Sequence, residues 1–180
     1  MTEDILESLK RELINGHVKR GHPFRYFTLG TSKSNAPQLR TVVLRKVKSD
    51  FVILVYTDLR SQKIAEIKEN NAVSALFYHP KKLIQIKIEG SAEIITDKDE
   101  LKPFWGNISD KSKKDYTTNL APGCIIKSPN KVDYTNEVNH FCMLKIKPTY
   151  IEYLKLTRPN HIRIGYSKVD GEFKGEFLVP

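Results

Sequence analysis

Between Thr57 and Lys63 the chain gathers side chains suited to holding an anion: Thr57 and Ser61 supply hydroxyls, Arg60 and Lys63 full positive charges. Thr57-Asp58-Leu59-Arg60-Ser61 breaks the strand pattern before it, and Ser61 stands where a short helix from Gln62 to about Glu69 needs its N-cap. A helix start adds unpaired N–H groups and a partial positive charge, an arrangement that suits a phosphate. Taken alone, the same residues also read as an ordinary capped helix with solvated Lys and Arg. Arg40 and Arg45 are the other basic candidates. They differ by five positions, so an unbroken strand turns them to opposite faces and only a bulge would let both serve one ligand. For each, the competing reading is a rim arginine in solvent. In Leu83–Glu89, Ile84, Ile86 and Ile88 share one face, which projects the Gln85 amide away from the core. An amide offers a donor and an acceptor together, although Lys87 and Glu89 on that face fit a solvated surface as well.

These groups need a scaffold, and Gln38–Gly90 supplies its centre. Gln38–Val47 and Phe51–Tyr56 are β-branched runs around Lys48-Ser49-Asp50, which predicts an antiparallel hairpin. Ala72–Tyr78 and a strand from Leu83 on to Ile95 follow the short helix. Upstream, Ile5, Leu6, Leu9 and Leu13 form one stripe of a helix over about residues 2–15, stopping at Gly16, that would lie on the strands as a lid. Phe24–Leu29 reads as a first strand and Gly30–Asn35 as its turn. Downstream, Asp97 caps a helix to about Trp105 and Ser109 a second to about Thr118, a helical insertion over about 97–119. Trp105 either packs these helices together or stacks on a bound ring. Pro122-Gly123 opens a polar loop. Phe141–Ile146 and Tyr150–Leu156 read as strands split by Pro148, and Ile162–Ser167 with Phe173–Val179 as a hairpin about Asp170-Gly171. Predominantly antiparallel strands with local helices predict a mainly β, closed barrel in one domain over 1–180.

Composition narrows the classes. Thirty Lys and Arg against 21 Asp and Glu give a net charge of +9, which favours anionic partners. The charge is scattered, with Lys111–Lys114 its densest cluster, and no nucleic-acid arm is indicated. The hydrophobic fraction is a lean 39%, which suggests a core completed across a subunit interface. Cys124 and Cys142 lack the spacing of a metal or redox pair, so no metal site is expected and a reducing cytoplasm fits. Neither a leader nor a membrane-length apolar run is visible.

Arg40-Thr41-Val42-Val43-Leu44-Arg45, then Tyr56-Thr57 with Ser61-Gln62-Lys63, then Gln85-Ile86-Lys87-Ile88-Glu89-Gly90 resemble, in order and spacing, the flavin-binding half of the pyridoxamine 5'-phosphate oxidase family. A weaker echo runs from Arg158-Pro159-Asn160-His161-Ile162-Arg163 to Leu178-Val179-Pro180. The resemblance implies an antiparallel split β-barrel, dimeric, holding FMN in a cleft between subunits. It assigns Arg40, Thr57, Ser61 and Lys63 to the phosphate, with Gln62 standing where the family usually has a second basic residue, a departure that weakens the grip. It assigns main-chain groups of Thr41, Val42, Val43, Leu44 and Tyr56 to the ring, Gln85 to its pyrimidine edge, and Arg45 to a position nearer the substrate. Phe104–Leu120 lacks the family's Arg-Pro-x-x-Ser-x-x-Gly-Ala motif, and His161-Ile162-Arg163 reverses its Arg-x-His. Those departures point to a related branch rather than to the vitamin-forming oxidase. His161 and Arg163 remain candidates for an acid or anion contact, against strand-edge solvation.

The expected function is an FMN-dependent oxidoreductase acting on a small anionic substrate as a cytoplasmic homodimer. A carrier of FMN or haem without turnover is the alternative; haem would need an axial histidine such as His140 or His79, the latter expected to be exposed in a turn before Pro80. A small-barrel RNA or single-strand DNA binder would need exposed aromatics, and Phe24, Tyr26 and Phe27 are few and core-like.

Overall fold

The computed structural model describes residues 1–135 and 137–180. Helix α1 (Thr2–Val18) opens the chain, with Glu3 and Asp4 in its first turn and Leu9 and Leu13 fully buried. It passes through Gly16 instead of stopping there. Gly16 is buried, and a Cβ on it would meet the Phe24 Cβ at 2.8 Å, so glycine serves close packing rather than termination. Phe24 itself lies in a 3₁₀ turn, Pro23–Arg25, and not in the first strand.

Among the described residues nine strands follow: β1 (Tyr26–Lys33), β2 (Ala36–Val43), β3 (Lys46–Val47), β4 (Ile53–Asp58), β5 (Ala72–His79), β6 (Ile84–Ile95), β7 (Phe141–Lys155), β8 (Ile162–Val169) and β9 (Glu172–Leu178). Helix α2 (Gln62–Glu69) joins β4 to β5; α3 (Lys98–Gly106) and α4 (Asp110–Lys113) lie between β6 and β7. All pairings are antiparallel, in the order β2-β1-β5-β6-β7-β4-β3, with β8 on β7 and β9 on β8. Two tight turns have the left-handed residues their hairpins demand: Ser34-Asn35 (φ 48° and 63°) and Asp170-Gly171 (φ 51° and 87°).

The sheet does not close, which corrects the expected closed barrel. The predicted hairpin of Gln38–Val47 with Phe51–Tyr56 shrinks to two pairs, Lys46 with Leu54 and Val47 with Ile53. The alternation explains this: Val42 and Leu44 turn inward, yet Lys46 is exposed and Val47 buried, so the phase slips at Arg45 and the strand breaks. Arg45 N then donates to Leu54 O at 3.0 Å. The consequence is an opening: among the described residues β2 pairs only with β1, and β4 beyond Leu54 only with β7, leaving two strand edges side by side.

The expected split at Pro148 is absent, because β7 runs through it opposite Gly90. The register shifts between Glu89 and Gly90, where a Cβ would collide with the Lys147 carbonyl, so glycine admits a bulge at which proline's missing N–H costs no ladder bond. The principal core lies within the curved sheet under α1 and α2. A second apolar cluster, with Leu54, Leu101, Ile108, Tyr116, Phe141 and Met143, sits under the helical insertion. There α4 ends at Lys113, short of Thr118, and a 3₁₀ turn sets the Tyr116 ring 5.2 Å from Phe141 and 6.1 Å from Trp105. Trp105 is a packing residue.

Candidate functional site

At the open end of β4, three side chains converge. Thr57 turns inward with Val55, and the chain bends so that Ser61 precedes α2. Ser61 makes no side-chain cap bond; its Oγ lies 3.3 Å from Thr57 Oγ1, and Lys63 Nζ donates to both, at 2.9 Å to Thr57 and 3.1 Å to Ser61. Two hydroxyls and an ammonium thus form a cradle beside the unpaired N–H groups of α2. Burial, followed by the nearby Arg40 charge, depresses the Lys63 pKa, and among the described residues no carboxylate lies within ion-pair distance of its ammonium. A desolvated cation without a counter-ion is what a phosphate monoester would neutralise. Gln62 is exposed and adds no charge. Below the cradle, Cys142 pairs with Thr57 across β4 and β7, and burial pushes its thiol up to about 12.

The three arginines separate. Arg40 faces inward beside Thr31: its guanidinium meets the Glu66 carboxylate at 2.6 Å and donates to the Thr31 hydroxyl. Its charge reaches Lys63, yet its partner is an acid. Arg60 leaves the cradle altogether, forking onto Asp58 at 2.8 and 3.1 Å and donating to the carbonyls of Thr118 and Asn119, where it straps the helical insertion to β4. Arg45, past the strand break, lies over the Tyr56 ring at 5.1 Å and against Tyr116. Arg40 and Arg45 therefore occupy different places, Arg45 lying past the end of β2.

Next to the opening between β2 and β4 is a cavity of about 400 Å³, lined among others by His17, Arg25, Leu44, Arg45, Tyr56 and Ser109. Among the described residues no carboxylate lines it. Arg45 Nε and His17 Nδ1 are buried without a hydrogen-bond partner, and burial together with Lys46 and Arg25 holds the His17 pKa low. Such walls favour a negatively charged guest.

Gln85 lies elsewhere. It faces outward on β6 and belongs to a cross-strand row with Tyr78, Leu154, Arg163 and Leu178, whereas Thr57 and Arg40 face the interior. One chain thus does not bring Gln85 to the cradle. His161 and Arg163 lie on the Gln85 side. Arg163 is paired with the buried Glu152 at 3.0 Å, which also draws Lys87, while exposed His161 accepts from Thr157 N through Nδ1 at 3.1 Å.

Sequence reading missed Glu66 and Thr31. The signal was available for Glu66, an acid on the buried stripe of α2 with Ile64 and Ile67. It also missed a polar knot between α1 and the β5–β6 turn, where Glu12 approaches His22 Nε2 at 3.3 Å and Lys82 Nζ at 2.5 Å, with His79 beside them. His79 is buried against His22 and Phe24, contrary to its expected exposure in the turn before Pro80. The Nδ1 atoms of both histidines accept main-chain N–H groups, from Phe24 and Lys82. That fixes the proton on Nε2 of each neutral ring, the reverse of the pattern that metal-bound imidazoles use.

A family model, the FMN-binding domain of pyridoxamine 5'-phosphate oxidase, matches residues 6–96, half of the chain and every element of the cradle. The chain belongs to this family. Its cofactor is FMN. A pyridoxine/pyridoxamine 5'-phosphate oxidase from Acinetobacter baumannii is 26% identical over 176 residues, covering 88% of this chain and 78% of that protein. Two crystal structures share the fold. A pyridoxamine 5'-phosphate oxidase-related FMN-binding protein from Nostoc punctiforme has a TM-score of 0.76 at 24% identity, covering 99% of this chain and 96% of its own. PhzG from Burkholderia lata, in complex with tetrahydrophenazine-1-carboxylic acid, has a TM-score of 0.76 at 18% identity, covering 98% and 92%. Among the described residues no helix is long and apolar enough to cross a membrane.

Proposed function

We propose that the chain is one FMN-dependent oxidoreductase domain, working as a homodimer on a small anionic substrate. The observation that carries this reading is the Thr57–Ser61–Lys63 cradle, with its half-buried ammonium and, among the described residues, no counter-ion at hydrogen-bond distance. Lys63, Thr57 and Ser61 hold the cofactor phosphate, with Arg40 beside them in its pair with Glu66. Main-chain groups along the open edges, from Thr41, Val42, Val43, Leu44 and Tyr56, meet the ring, Leu44 through its carbonyl because its N–H donates to Arg25 O at 2.9 Å. When bound, FMN supplies two-electron redox chemistry; the residues bind, orient and exclude water.

Gln85 reaches the ring of the partner's cofactor. In support, the outer face that carries it also exposes Tyr26, Leu39, Leu76 and Tyr78, apolar side chains a second copy would cover. Donation from the Gln85 amide to the pyrimidine edge favours the anionic reduced flavin. The cavity beside Arg45 receives the substrate's anionic group, drawn by Arg25 and Arg45, and His17 offers a neutral imidazole at its wall. A volume of about 400 Å³ suits a small molecule; the neighbour PhzG accommodates a carboxylic acid on the same fold. His161 and Arg163 border the partner's site. The absence of the usual motif in Phe104–Leu120 fits a branch distinct from the vitamin-forming oxidase, and two unpaired cysteines fit the cytoplasm.

Purified protein should be yellow and lose its flavin absorbance in an Arg40→Ala, Lys63→Ala variant. Anaerobic reduction by NADH, NADPH or amines with turnover supports an enzyme. A bound flavin inert to all of them would favour a carrier.

A further inference from the structure

Glu66 is unusual for the place it occupies. A phosphate-binding end gains from every cation it can present, yet this one buries a carboxylate among them, 2% exposed on the inner stripe of α2. Glu66 Oε2 accepts from Arg40 at 2.6 Å and from the Thr31 hydroxyl at 2.5 Å, while Oε1 is buried with no partner. Thr31 in turn accepts from Arg40, so the arginine is held by an acid and a hydroxyl on one side. An acid with one orphaned oxygen does not optimise stability. Its effect is on charge. Arg40 and Glu66 cancel, and Lys63, joined only to hydroxyls, is left as the one uncompensated cation of the cradle.

We propose that Glu66 is a specificity-determining residue that sets the charge of the phosphate cradle, orienting Arg40 while cancelling it, so that the mononucleotide is held loosely enough to exchange. The inference rests on the cradle being the FMN phosphate site. Glu66 acts through Arg40 and through the field at the phosphate. Its influence is therefore confined to ligands that carry the phosphate, and riboflavin, which has the same ring and none of the charge, is the control.

The test measures FMN and riboflavin dissociation constants for wild-type protein and for Lys63→Ala, Glu66→Gln, Arg40→Gln and the Arg40→Gln, Glu66→Gln double variant. Glu66→Gln should bind FMN about five-fold more tightly, the scale of one unit charge acting through a partly solvated protein edge, with riboflavin unchanged. Arg40→Gln should bind FMN more weakly, and the double variant, whose net charge equals that of the wild type, should return to within about two-fold of it. Unchanged or weakened FMN binding in Glu66→Gln, or equal shifts for both flavins, would overturn the proposal. If Glu66→Gln fails to fold, the double variant decides: recovery relative to Arg40→Gln supports the charge role, and no recovery refutes it. A Lys63→Ala protein with unaltered FMN affinity would instead refute the cradle itself, and this proposal with it.

Discussion

Two cationic regions of this fold look alike in composition and differ in what surrounds them. In the cradle, Lys63 is half-buried among hydroxyls and, among the described residues, has no acid within ion-pair distance. In the outer row, Arg163 is bound to Glu152, which Lys87 also approaches. The difference teaches that a basic side chain is open to a ligand only where the fold denies it a carboxylate. Arg40 stands between the extremes, beside the cradle but joined to Glu66.

Substitution at Lys63 should give the largest effect. Lys63→Ala removes charge-assisted hydrogen bonds worth about 1.5–3 kcal/mol, so equilibrium titration should show FMN binding weakened about ten-fold to more than a hundred-fold. Arg163→Ala should do something different: leave FMN affinity within about three-fold but cost about 1–3 kcal/mol in urea unfolding, because Glu152 stays buried without its strongest partner. Equal losses of FMN in both would break the contrast. Thr57→Val, which keeps shape and removes one hydroxyl, should weaken FMN by about five-fold, the scale of a single neutral hydrogen bond.

Smaller effects sharpen the same contrast. In native protein a thiol reagent should modify exposed Cys124 readily and spare Cys142, whose burial beneath the cradle keeps it protonated; rapid modification of both would mean that the cradle floor opens. Acidification should weaken the α1 contacts before either cationic region. Burial depresses His17 and His22 below their ordinary 6.5, so the unfolded chain takes up protons first and stability falls as pH drops from about 7 toward 5. Glu12, whose burial is outweighed by Lys82 and His22, has a lowered pKa and adds stability that is lost only below the usual carboxylate range. A melting temperature that stays flat over pH 7 to 5 would contradict this.

Local signals carried far in this chain. The bounds of α2, the Asp97 cap, the Asp170-Gly171 hairpin and the grouping of Thr57, Ser61 and Lys63 all follow from neighbours in sequence, where capping and turn chemistry act. Ser61 shows the limit: the residue precedes α2 as expected, yet its hydroxyl turns to Lys63, a choice made by desolvation and not by helix propensity. The misreadings are non-local. Arg60 was drawn away by Asp58 and the insertion's carbonyls, Pro148 was absorbed by a bulge opposite Gly90, and the phase slip at Arg45 left the sheet open. Glu66 could be found only by asking why an acid shares a stripe with Ile64 and Ile67.

The most direct test is a crystal structure of the protein grown with excess FMN. The account predicts phosphate oxygens accepting from Lys63 Nζ and from the hydroxyls of Thr57 and Ser61, with the ring along the open edges of β2 and β4 and Gln85 arriving from the partner subunit. A phosphate bound elsewhere, with Lys63 still closed onto its two hydroxyls, would contradict it.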